Sequence, residues 1–186
     1  MKLITSSKKN PEMTRQKILD YTIQLTAEKG VSGVSIQAVA DMVGVSKGGV
    51  FHHFPTKQNL LEQMIVELLQ RLDVFVDHVI AQDPMAHGCF TRAYIQATLP
   101  TETNHVPFGS AISMAILTEP ELNNMWMRWY QSRLRQHQQT DGDLELKILR
   151  YAADGVWLTA FADIEDANEI AAMKQQLMQR SYLELR

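Results

Sequence analysis

The sequence predicts an all-α protein, and three observations carry that prediction. Apolar residues recur at steps of three and four along most of the chain, no stretch alternates as a half-buried strand would, and capping residues and glycines fall where helices should start and stop. No internal repeat is detectable. A chain of 186 residues can bury a substantial core. Its 45% hydrophobic and 21% charged residues exclude a disordered chain.

Nine helices are expected. The first spans about 12–29, buries Ile18, Tyr21, Thr22 and Leu25, and stops at Gly30. The second, about 36–43, lies between a Ser35 cap and Gly44; the third, about 47–53, lies between a Ser46 cap and Pro55. The fourth starts after Thr56 and runs to about Ala81, with one wide apolar stripe from Leu60 to Val79. At ~1.5 Å per residue it is roughly 37 Å long, enough to leave a small head and enter a larger body. Asp83-Pro84 supplies a cap and an N1 proline for a fifth helix to about Leu99. After a loop with Pro100, His105 and Pro107, a short helix is expected near 109–117. Thr118 and Glu121 read as a capping box that opens a seventh helix to about Gln138, followed by a polar linker at Gln139–Gly142. The eighth helix spans about 144–162, and Asp166 with Glu169 caps a ninth to about Leu185. The expected domains are 1–57 and 58–186, joined inside the fourth helix.

Charge is divided unevenly. Residues 1–60 carry eight Lys/Arg against four Asp/Glu, and residues 61–186 carry ten against seventeen. A basic head on an acidic body suits a polyanion-binding module joined to another function. The single Cys89 excludes an intramolecular disulfide. No run reaches the ~18–20 apolar residues needed to cross a bilayer, and the apolar start is too short for a signal peptide. A cytoplasmic location away from membranes is expected.

Residues 36–54 meet the packing demands of a helix-turn-helix. Ala40 is small where two helices cross, and Gly44 can take the left-handed conformation of a tight turn. Val39, Val43, Val45 and Val50 supply the apolar contacts that fix the angle. Ser46 then caps a helix whose N-terminal end can enter a major groove, and Lys47 is its first exposed side chain. Gly48 and Gly49 cost about 0.5–1 kcal/mol each in a helix, which makes sense where the backbone must approach DNA closely.

These residues resemble a known family. Ser35-Ile36, Ala38-Val39-Ala40, Gly44 to Gly48, Phe51-His52-His53-Phe54, Lys57 and Leu60 are similar to the DNA-binding signature of TetR-family repressors over about residues 14–61. The resemblance implies a homodimer that binds a palindromic operator and is released by a small-molecule effector held in the C-terminal domain. It implies that Ser35 and Gln37 lie beside the DNA backbone, that Ser46, Lys47, Gly48, Gly49 and His52 face the groove, and that Lys57 holds a phosphate. His53 fits the family's structural histidine. Phe51 departs from the pattern, which commonly has a tyrosine whose hydroxyl reaches a phosphate, so His52 or Thr56 is expected to carry more of that grip.

In the body, residues 85–161 are dense in large soft side chains, which either pack a core or line a ligand cavity. The expected pocket set is Phe90, Tyr94, Met114, Trp126, Trp129, Tyr130, Asp154 and Trp157. Asp154 lies in an apolar stretch where a carboxylate is costly unless paired, so it can receive a cation, bond across a dimer or cap a neighbour. Gln96, His105 and Arg128 are further polar candidates. Small residues on the last two helices point to a four-helix dimer interface of Leu149, Ala152, Ala153, Val156, Ala160, Ile170, Met173 and Leu177. No catalytic residue, cofactor or metal site is expected: Cys89 has no obvious activating neighbour, and the histidines lack metal-binding spacing. The competing expectation is a DNA-binding factor with the same head and no small-molecule ligand.

Overall fold

The computed structural model describes residues 10–99, 115–161 and 166–182, the side chains of Ala160 and Phe161 aside. These residues form helices and no strand. Met114 of the expected pocket, Ala160's side chain in the expected interface, His105, and most of the helix expected near 109–117 lie outside the described residues; residues 115–118 are helical.

The chain divides into two compact units. The first holds residues 10–67 and 115–123 of the described chain. Helix α1 (Pro11–Gly33) is capped by Asn10, whose side chain accepts from the Glu12 amide. Its regular course breaks at Gly30, where φ is 67°, so the sequence stop signal acts one turn before the last helical residues. Thr22 and Thr26 are fully buried because their hydroxyls donate to the carbonyls of Ile18 and Thr22, each at 2.7 Å. Helices α2 (Ile36–Val43) and α3 (Lys47–His53) follow, and α4 (Lys57–Gln82) begins behind Thr56, whose hydroxyl accepts from the Asn59 amide at 3.0 Å. Ile18, Val39, Ala40, Val50, Phe54, Leu60, Met64 and Ile65 have no exposed surface and form this unit's core. Residues of α4 through Glu67 belong to this unit and those from Leu68 to the second.

The second unit is built around α5 (Cys89–Thr98). Every residue from Cys89 to Ile95 is buried, a helix enclosed all round. It packs against α7 (Gln138–Asp141), α8 (Leu144–Phe161) and α9 (Ala167–Arg180). Ile95, Leu99, Leu146, Leu149, Ala153 and Leu177 form its apolar cluster. Charged groups close both ends of α5. The Asp141 carboxylate accepts from the Thr91 and Phe90 amides at its N-terminus (2.7 and 3.3 Å), and the Lys174 ammonium donates to the Leu99 carbonyl at its C-terminus. Each charge has the sign that the helix dipole favours at that end.

Three expectations about element boundaries are corrected. The fifth helix starts at Cys89, behind Gly88, rather than at Pro84. Asp83 does cap the Met85 amide at 3.0 Å, but its carboxylate is held by Arg92, which turns residues 83–88 into a folded connection. Thr118 belongs to the preceding helical turn, and α6 (Pro120–Gln136) starts at its proline. The expected linker at 139–142 contains α7, which gains its order from Asp141's bonds to α5 rather than from an apolar face.

Arg92 is fully buried. Its Nε and Nη2 bind the two Asp83 carboxylate oxygens at 2.6 and 2.9 Å, Nη2 also reaches the Met85 and His87 carbonyls at 2.7 and 2.8 Å, and Nη1 reaches the Ser181 carbonyl at 3.0 Å. Its guanidinium lies 4.3 Å from the Tyr182 ring centroid. Removing the guanidinium strands a carboxylate that is itself nearly solvent-free. Arg92→Met is therefore expected to destabilise the protein by about 3–5 kcal/mol. Urea unfolding curves check this, and an unchanged midpoint would contradict it.

Candidate nucleic-acid interface and effector site

The two helices of the head are set by local chemistry. The Ser35 hydroxyl accepts from the Ala38 amide at 3.1 Å and starts α2. Gly44 ends it in the left-handed conformation (φ 73°, ψ 39°), and the Gly44 and Val45 amides both donate to the Ala40 carbonyl at 3.0 Å. Ser46 then caps α3 by accepting from the Gly49 amide at 3.1 Å. Val39, Ala40 and Val50 are fully buried at the crossing.

Ser35, Gln37, Ser46, Lys47, Gly48 and His52 are exposed, and Gly49 and Lys57 are half-buried. The Gln37 amide is engaged by Asp41 at 2.7 Å. The Lys47 ammonium lies 5.9 Å from the centroid of the exposed Phe51 ring. Lys57 donates to the Val31 carbonyl at 3.1 Å, which ties the start of α4 to the end of α1 and leaves two of its three donors for another acceptor. His53 is half-buried, with its ring 6.4 Å from that of Phe54. A methyl group at Gly48 would meet nothing nearer than the Ser46 hydroxyl at 3.9 Å, so packing within the chain does not require glycine there.

In the second unit, five of the expected pocket aromatics form a chain of ring contacts. Phe90 touches Tyr94 (centroids 6.0 Å apart), Tyr94 touches Tyr130 (5.3 Å), Tyr130 stacks on Trp126 (6.4 Å) and Trp126 touches Trp129 (5.0 Å). Phe90 has no exposed surface and also stacks on His137, which makes it core. Trp126, Trp129, Tyr130, Asp154 and Trp157 are half-buried. The Tyr94 hydroxyl donates to Asp154 at 2.6 Å. Burial raises the Asp154 carboxyl above the ordinary carboxylate range, against the opposing pull of the Tyr94 hydrogen bond and the Arg150 charge. Arg150 itself faces two carboxylates, since its Nη1 lies 4.0 Å from Asp141.

Sequence reasoning missed the link from these rings to α4. Trp129 Nε1 donates to Asp73 at 2.6 Å, and Arg133 bridges Asp73 and Asp77 at 2.6 and 2.7 Å. The steps of four from Asp73 to Asp77 and from Trp129 to Arg133 place each pair on one face of its helix, but pairing of those faces is a tertiary fact. Burial also raises the Cys89 thiol, with the Asp141 charge adding to it, so Cys89 is no activated nucleophile.

The expected dimer set divides. Leu149 and Ala153 are fully buried, and Leu177 nearly so, within the subunit's own core, where they cannot face a second copy. Ala152 and Val156 pack against that core, and Ile170 and Met173 are half-buried. The outward face of α8 instead carries Leu144, Ile148, Tyr151 and Leu158, exposed by 70%, 44%, 56% and 51%. With Gly155, which has open space around it, they recur at alternating steps of four and three.

The capped, glycine-hinged helix pair, with Lys47 exposed at the start of its second helix, has the form of a helix-turn-helix DNA-binding protein. Comparison with known proteins makes this specific. Residues 18–64 match the family described as bacterial regulatory proteins, tetR family, and residues 88–182 match the Tetracyclin repressor-like C-terminal domain. The chain belongs to the TetR family. It is 22% identical over 162 residues to the transcriptional repressor KstR2 of Rhodococcus jostii, covering 77% of this chain and 76% of that one. It is 27% identical to the repressor AcnR of Corynebacterium diphtheriae over 62% of this chain and 56% of that one. A TetR-family regulator from Agrobacterium tumefaciens shares the fold with a TM-score of 0.69 at 20% identity, over 92% of this chain and 98% of that one. A transcriptional regulator from Saccharomonospora viridis in complex with choline does so with a TM-score of 0.71 at 20% identity, over 90% and 95%. No described helix is long and apolar enough to cross a membrane.

Asp154 gives a pH test. Because its folded carboxyl is raised, the unfolded chain ionises first, and charging costs stability as pH rises through the raised value. Asp154→Asn escapes that cost. The stability advantage of the variant should be smallest below the ordinary carboxylate range, widen as pH rises, and then level off. Urea titrations at a series of pH values check it; an advantage independent of pH would contradict the assignment.

Proposed function

We propose that the protein is a homodimeric operator-binding repressor that a small organic ammonium compound releases from DNA. The observation that carries the effector reading is Asp154, a half-buried carboxylate that shares Arg150 with Asp141, beside the rings of Tyr94 and Tyr130 and the stacked Trp126. Carboxylate and aromatic faces together suit a cation with an apolar body. The choline-bound relative of the same fold supports that class.

Trp129 joins the ring contacts to Asp73 on α4, and α4 continues into the head. An effector that displaces Trp126 and Trp129 would shift that hydrogen bond and, through α4, the recognition helix α3. A switch between mostly bound and mostly released requires the effector to favour one conformer by about 5 kcal/mol. The test is release of a labelled operator, obtained by selection from random duplexes, by ammonium compounds and their neutral isosteres. Ammonium compounds should release it, and Asp154→Asn should keep operator affinity while losing the response. Equal release by neutral isosteres would overturn the charge assignment. Indifference to every compound would favour the ligand-free DNA-binding factor.

On the DNA side, Gly48→Ala should produce opposite effects on stability and function. Alanine stabilises a helix interior by about 0.5–1 kcal/mol relative to glycine, and space is available for it. It would also hold the duplex away from α3 and weaken operator binding. Lys47→Ala should cost about 1–3 kcal/mol if its ammonium contacts a base. Anisotropy titrations measure both, and two variants that bind like wild type would remove α3 from the interface.

For assembly, the outward stripe of α8 is the proposed contact between copies. Ile148→Glu and Leu158→Glu should yield folded monomers in light scattering. Ala153→Glu, placed in the core, should unfold the subunit instead. An intact dimer for both outward variants would put the interface elsewhere.

A further inference from the structure

The short helix α7 brings three groups with metal-binding chemistry to the first turn of α5. His137 and Asp141 are four residues apart, on either side of one helical turn, and Cys89 opens α5 opposite them. The thiol sulfur, an imidazole nitrogen and a carboxylate oxygen all lie within 4.8 Å of one another. Asp141 is buried, and Thr91, Phe90 and Thr140 fix its carboxylate at 2.7, 3.3 and 2.8 Å. The Cys89 sulfur approaches one of its oxygens at 3.9 Å.

His137 gives the second, independent observation. Its Nε2 is shut off from solvent and has no hydrogen-bond partner among the described residues. The ring is held in place by stacking on Phe90, with centroids 5.2 Å apart and planes within 5° of parallel. A buried, unpaired ring nitrogen is costly unless something accepts its lone pair or proton. A metal ion would accept the lone pair, and it would also replace the weak thiol–carboxylate contact with two strong bonds.

We propose that Cys89, His137 and Asp141 form a binding site for a single zinc-class divalent cation. Thiolate, imidazole and carboxylate together favour Zn²⁺ over Cu(I), which prefers all-soft ligands, and over Mg²⁺, which prefers oxygen. Tetrahedral bonds of about 2.0–2.3 Å put neighbouring ligand atoms roughly 3.3–3.6 Å apart, so the three groups need to close by about 1 Å. On binding, the Cys89 sulfur gives its proton to solvent and becomes a thiolate, and its negative charge with that of Asp141 balances the ion. The amides of Phe90 and Thr91 and the Thr140 hydroxyl orient the carboxylate, as outer partners commonly do at metal sites. Three protein ligands leave a fourth position for water or a small anion. The ion would join α5 to α7 and so brace the enclosed helix that carries Tyr94.

The test is a Co²⁺ titration of the full-length chain after dialysis against a chelator. It should give the ligand-field bands of a four-coordinate ion and a thiolate-to-cobalt charge-transfer band, both saturating at one ion per chain and both abolished by stoichiometric Zn²⁺. Cys89→Ser should lose the charge-transfer band, and His137→Gln should weaken binding by at least about tenfold. Zn²⁺ should raise the thermal midpoint of the wild type and leave that of Cys89→Ser unchanged, with far-UV circular dichroism checking that the variant folds. No charge-transfer band at saturating Co²⁺, or no Zn²⁺-dependent rise in the wild-type midpoint, would overturn the site. So would a Cys89→Ser variant that keeps the band.

Discussion

The second unit depends on one buried guanidinium. Arg92 enters the interior only because the Asp83 carboxylate and three main-chain carbonyls meet its donors, and those acceptors come from opposite ends of the unit's sequence. The interaction decides where α5 begins, since the residues before Cys89 are committed to surrounding the arginine and cannot continue the helix. It also pins the last described turn through the Ser181 carbonyl and the Tyr182 ring. Once α5 is fixed at this point, Tyr94 faces Asp154 and Cys89 faces Asp141.

The interior charges share a logic. Asp141 sits at the amino end of α5 and Lys174 at its carboxyl end, while Arg133 clasps two acids on α4. In each case the charge meets backbone dipoles or an opposite charge, as burial requires. Asp154 departs from this pattern. Its tyrosine partner is neutral and its arginine is shared with Asp141, so burial is not fully offset and the carboxyl is raised above the ordinary carboxylate range.

The parts of the fold that could be read from sequence are those encoded within four residues. Ser35, Gly44, Ser46 and the reciprocal box of Asp166 and Glu169 each close a helix end with neighbouring atoms, and each stands where the sequence puts it. Long-range commitments were hidden. Asp83-Pro84 has the form of a helix start, and only the distant Arg92 reveals its other use. Helix α8 shows the limit of periodicity. It carries two apolar stripes, one through Leu146, Leu149 and Ala153 and another through Leu144, Ile148, Tyr151 and Leu158. Spacing reveals both, but which one faces the core depends on what α5 and α9 offer. The cluster of Cys89, His137 and Asp141 was hidden for the same reason, because nearly fifty residues separate its first member from the other two.

The paired glycines of α3 have a further consequence for how such a head discriminates among sequences. A seven-residue helix in which two early positions lack side chains offers few groups to the edges of the bases. In the proposed interface Lys47 and His52 would read a letter or two, and the bare stretch Gly48-Gly49 would read none. What that stretch allows is close approach, and close approach is sensitive to groove width and to how readily the duplex bends. The preferred sequence should then include base pairs that no side chain touches, chosen for stiffness or ease of kinking.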